Sequence, residues 1–165
     1  CRDLIERLRV LYDYVVIDTT SMFSKLNLAM LDISTIVTFL GVVDFIPTIK
    51  NMKIGSDTLN DLNYDKNKIR LVLNRSNAKT RISIDDVEKL LGEKFYHILP
   101  NDFGAASQSI KEGIPLVLKN ESTSLSEALC DLVARYTNSG GYNDDKAAML
   151  NDTASAGSWL HRLFH

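Results

Sequence analysis

Short apolar runs that alternate with stretches of helical spacing constrain this chain more than any other feature. "YVVIDT" (14–19), "TIVTFL" (35–40), "IRLVLN" (69–74) and "KFYHIL" (94–99) are rich in β-branched and aromatic residues, the composition of strands. Between them lie segments that carry helix punctuation. Asp44 opens "DFIPTIKNMKIGSDTLNDL", with Pro47 in the first turn, where its missing N–H costs little. Ser83 precedes "IDDVEKLLG", which Gly92 closes, and Asp102 precedes "FGAASQSIKEG", which Gly113 and Pro115 close. Ser124 and Glu127 have capping-box spacing before "ALCDLVARY". Strands that alternate with helices make βαβ units. The expected fold class is therefore α/β: a three-layer, doubly wound, mainly parallel sheet covered by helices on both faces.

Composition sets the boundaries. The chain has 165 residues, 45% of them hydrophobic, enough for one domain with a core. That domain is expected over residues 1–136. Residues 137–158, rich in Gly, Ser, Asn and Asp, read as a flexible linker, and 159–165 as an amphipathic tail. A net charge of −2 supplies no basic surface, so nucleic acid is not an expected partner. Cys1 and Cys130 match no metal or redox spacing. With no signal peptide and no run of about 18 apolar residues, they point to the cytoplasm. The sequence starts at Cys1, without Met and inside a helical pattern, so it reads as the C-terminal part of a longer protein.

In open α/β sheets ligands bind outside the carboxyl ends of the strands, and polar residues collect there. Asp18 closes the first run, Gly41 to Asp44 follow the second, Asn74 and Arg75 the third, and Pro100, Asn101 and Asp102 the fourth. Each has a structural alternative: Asp44 and Asp102 as helix caps, Asn74 as a turn residue. An apolar run ending in Asp has the form of a Walker B element, whose carboxylate holds Mg²⁺ through water. No Gly-x-x-x-x-Gly-Lys-[Ser/Thr] occurs in the chain, so a phosphate-binding loop is expected upstream of Cys1.

Taken together these stretches resemble the MinD/ParA-type deviant P-loop ATPases. "YDYVVIDTT" is similar to their Walker B segment, "IRLVLNRSN" to their adenine-side strand, and "ILPNDFGAASQSIKEGIPLVL" to the base-contacting Pro segment and following helix. "NRSNAKTRISIDDVEKLLGEKFYHILPND" most resembles the CpaE/TadZ branch. The resemblance covers residues 1 to 136 and implies an incomplete P-loop NTPase-like fold that dimerises around ATP and Mg²⁺. For the branch it implies a part in placing or assembling Flp/Tad-type pili, with pilus secretion and assembly proteins as partners. It makes Asp18 the catalytic Walker B carboxylate, holding Mg through water, and Thr19 to Phe23 the switch II segment. Asn74 would hydrogen-bond adenine, Arg75 would lie beside the base, and Pro100 and Asn101 would line its pocket. The sequence departs from the family in having Thr20 where a Pro often stands, and in lacking the P-loop, so this chain alone is not expected to hydrolyse ATP. The alternative is a localisation or scaffolding module that has lost turnover. A response-regulator-like receiver ranks behind both, because "LVLNR" and "ILPND" do not supply its acids and lysine.

In the tail "SWLHRLFH", Trp159, Leu160, Leu163 and Phe164 fall on one face of a helix. They are similar to the membrane-targeting helix of MinD proteins, which implies docking at the inner face of the cell membrane. The competing reading is docking on protein. Burying four such side chains yields ~6–12 kcal/mol gross, and ordering the segment costs a similar amount, so one copy binds weakly and a dimer by avidity. His97 reads as a packed or edge histidine, and Cys130 as a core thiol.

Overall fold

The computed structural model describes residues 2–43, 46–76, 82–119 and 121–138. Along the chain run α1 (Arg2–Leu11), α2 (Lys25–Ile33), β1 (Val37–Val42), α3 (Ile46–Asp61), β2 (Ile69–Asn74), α4 (Ile84–Leu91), β3 (His97–Ile98), α5 (Phe103–Glu112), a 3₁₀ turn (Leu116–Leu118) and α6 (Ser124–Asn138). The strands form one parallel sheet in the order β1-β2-β3, with Val42 opposite Asn74 and Leu73 opposite Ile98.

Alternation along β2 builds the layers. Leu71 and Leu73 face one side, in a core with Val43, Ile49 and Met52 on and before α3 and Val87 and Leu91 of α4. Val72 faces the other side, packing with Leu99 and with Leu132 of α6. A strand apolar on both faces is a strand buried on both faces, and the expected α/β architecture with helices on both sides of a parallel sheet is what forms. Helix punctuation behaves as the sequence implies. The Ser83 hydroxyl accepts from the Asp86 N–H at 3.1 Å, and the Asp102 carboxylate accepts from the Ala105 N–H at 3.0 Å. Gly92 and Gly113 close their helices in the left-handed region, at φ 78° and 66°.

Four local expectations are corrected. The 14–19 run joins no ladder among the described residues, and Val16 is 93% exposed. β-branched residues supply propensity only; a strand also needs a neighbour for its N–H and C=O groups, and no described strand lies beside it. Asp18 therefore does not end a paired strand. The second strand runs to Val42 rather than Leu40, because Gly41 is a strand residue: its bare Cα is where the Met52 thioether of α3 packs. The fourth is two residues long because its spacing falls out of step with β2: Tyr96 and Leu99, three positions apart, donate their N–H groups to the carbonyls of Leu71 and Leu73, two apart, each at 2.7 Å. The last helix is capped by Thr123, whose hydroxyl accepts from the Ser126 N–H at 3.1 Å while Ser126 Oγ accepts from the Thr123 N–H at 2.8 Å; Ser124 is the first helical residue. Asp44, the linker from 139 and the tail residues Trp159, Leu160, Leu163 and Phe164 lie outside the described residues.

Candidate functional site

The carboxyl ends of β2 and β3 are adjacent because the strands pair in parallel. Asn74 is the last residue of β2. Arg75 then adopts φ 60°, a left-handed conformation that costs a non-glycine residue of the order of 1–3 kcal/mol and turns the chain sharply. The turn delivers the Ser76 N–H to the Leu99 carbonyl at 3.0 Å, while the Leu99 N–H donates to the Leu73 carbonyl at 2.7 Å. Leu99 is buried. These two bonds lock the end of β2 beside the residue that precedes Pro100, so Asn74, Arg75, Pro100 and Asn101 share one rim.

Asn74, Pro100 and Asn101 are half-buried. The carboxamides of Asn74 and Asn101 make no hydrogen bond to described residues, so donor and acceptor are unspent. That is the chemistry a purine edge requires, so the residues fit an adenine. Asp102, next in line, is committed to capping α5 and is a structural residue. No group of three or more His, Cys, Asp or Glu gathers among the described residues. Mg²⁺ takes few protein oxygens and keeps its waters, so a single exposed carboxylate such as Asp18 is chemically able to hold it; no hydrogen bond or ion pair among the described residues ties Asp18 to the rim.

The segment that follows Asp18 is held by a residue not singled out from the sequence. The Asn27 side-chain amide donates to the Thr20 hydroxyl at 2.9 Å, the Thr20 carbonyl at 3.1 Å and the Met22 carbonyl at 2.7 Å. These bonds fix the 19–23 segment against α2. The signal was present: Ser24 followed three residues later by Asn27 at a helix start, with a polar residue among the apolar positions of "KLNLAMLDI".

Other groups have bland roles. His97 Nε2–H donates to the Ala128 carbonyl at 2.7 Å, so it is a packing histidine. Cys130 is half-buried rather than core, and burial, then Asp131 and Glu127, push its thiol pKa up, against a role as nucleophile. A groove between α3 and α4, lined by Ile46, Ile49, Ile82, Val87 and Leu90 with Lys50, Lys53 and Asp86, is mostly apolar and offers no amide to a base.

No family model matches the sequence, and no curated protein matches it. A solved structure does. The crystal structure of a ParA family ATPase from Chlorobium tepidum TLS superposes with a TM-score of 0.71 at 20% identity, over 78% of this chain and 52% of that one. The fold is ParA-like. The chain spans about half the length of the ParA structure, and the described ParA-like part is a three-stranded parallel sheet with its helices.

Proposed function

We propose that this chain is the base-binding half of an ATP-dependent switch of the ParA/MinD type, with the phosphate-binding loop supplied by residues outside it. The observation that carries the reading is the rim: Asn74 and Arg75 from one strand end and Pro100 and Asn101 from the next, joined through the Ser76–Leu99 hydrogen bond, with two amides unspent. Asn74 and Asn101 bind the base, Pro100 packs against it, and Asp18 holds Mg²⁺ through water. Mg²⁺ neutralises phosphate charge; the chain's own residues hold and orient the base. The resemblance of residues 74–102 to the CpaE/TadZ branch supports a part in localisation or assembly of Flp/Tad-type pili, with the switch acting as a homodimer. None of the described helices is long and apolar enough to cross a membrane, and the proposed membrane contact is the 159–165 tail.

Titration of the complete protein with labelled ATP and Mg²⁺ tests the reading. Asn74→Ala is expected to weaken binding roughly tenfold by removing hydrogen bonds to the base, and Asp18→Ala to abolish the dependence on Mg²⁺. No saturable binding leaves the localisation module that has lost nucleotide, and binding that neither substitution alters removes the proposed site. Flotation of the intact dimer with liposomes, with and without Trp159→Ala and Phe164→Ala, reads the tail; equal flotation would refute its docking on lipid.

A further inference from the structure

Asn27 is only 9% exposed, and its groups divide into two jobs. Its backbone N–H donates to the Ser24 hydroxyl at 3.2 Å, capping α2. Its side-chain amide has two hydrogens facing three oxygens of Thr20 and Met22, so one hydrogen is shared. The side chains of Thr20, Ser21 and Met22 are exposed, and the segment joins no sheet ladder among the described residues. Its attachment to the fold therefore concentrates on one carboxamide, and detaching it uncovers little core. The two carbonyls are acceptors only, so the latch requires a donor at position 27.

We propose that Asn27 is a positioning residue: its amide clasps Thr20 and Met22 to α2, and the movement of residues 19–23 on nucleotide binding breaks those hydrogen bonds together. The proposal rests on the switch reading above and adds the element that holds the resting state. Because Asp18 lies two residues before Thr20, the same clasp sets where that carboxylate sits. Breaking it is a cost paid on binding, so removing it beforehand favours the nucleotide-bound arrangement.

Limited chymotrypsin digestion of the complete protein, with and without Mg²⁺-ATP, tests this with Asn27→Leu and Asn27→Asp, both close in volume and unable to donate. In either variant, cleavage after Phe23 without nucleotide is expected to speed up roughly tenfold or more, because the segment opens more readily. The further change on adding Mg²⁺-ATP is expected to shrink, and ATP to bind several-fold more tightly to Asn27→Leu. Ser24→Ala, which weakens the α2 cap and spares the clasp, is expected to lower the melting temperature while keeping the wild-type nucleotide response. Wild-type cleavage after Phe23 in both Asn27 variants, or a full nucleotide-induced change in Asn27→Leu, would overturn the proposal. If wild-type protein binds no ATP, the switch reading fails, and the nucleotide-free comparison still decides whether Asn27 holds the segment.

Discussion

Two glycines set how closely α3 approaches β1, and they tolerate change differently. A Cβ at Gly55 would stand 2.6 Å from Cζ of the Phe39 ring, which packs against the core and cannot bend. A Cβ at Gly41 would meet the flexible Met52 thioether. Gly55→Val is expected to cost about 1–3 kcal/mol by overpacking, and Gly41→Ala less, in denaturant titrations of the complete protein. Equal costs would mean that the ring moves as freely as the thioether. Residues of this kind divide what the sequence tells from what it withholds. Ser83 and Asp102 were legible as caps because capping is a local matter of side chain and nearby N–H. Gly41 was placed after the second strand because its reason for being in it is a methionine on another element. Asn27 was passed over because its partners depend on how a loop folds back. At the rim, Asn74, Arg75, Pro100 and Asn101 were readable as strand-end residues, whereas the left-handed Arg75 turn and the Ser76–Leu99 bond that unite them were not.

Between elements, polar contacts stitch α2 to the loop after α3. The Tyr64 hydroxyl donates to the Asp32 carboxylate at 2.7 Å, and Lys68 Nζ donates to the Asp32 carbonyl at 3.0 Å. Burial first, and then the carboxylate, push the Tyr64 pKa from 10.0 up to about 12. The folded state thus favours the protonated phenol. Its contribution is fully present below pH 10 and is lost as pH rises through 12. The difference in denaturant midpoint between wild type and Tyr64→Phe is expected to shrink over that interval; a constant difference would show that the phenol proton plays no part. The elements themselves were legible to different degrees. β2 matched residue for residue because its apolar run is buried on both faces. β3 shortened because the amides of Tyr96 and Leu99 are spaced out of step with the carbonyls of Leu71 and Leu73. The 14–19 run forms no ladder because pairing belongs to two segments, of which the described chain supplies one.

The whole molecule carries an unfinished surface. Val10, Leu11, Tyr12, Tyr14 and Val16 are all exposed, Leu40 of β1 is 56% exposed, and the edge of β1 away from β2 pairs with nothing described. Open edges beside apolar patches invite self-association. Residues 1–165 on their own are expected to aggregate with concentration in light scattering, and the Val16→Lys, Leu40→Lys double variant to aggregate less. A sharp, concentration-independent unfolding transition of the monomeric chain would contradict this.

The Thr38 and Tyr136 hydroxyls meet at 2.8 Å across 98 positions of sequence, and Val72 waits for Leu132 in the same layer. At ribosomal speeds of about 5–20 residues per second, the interval between making β1 and making its cover is of the order of 5–20 s. Throughout it one side of the nascent sheet stands bare. A cell that makes this protein has to shelter that side until translation reaches α6.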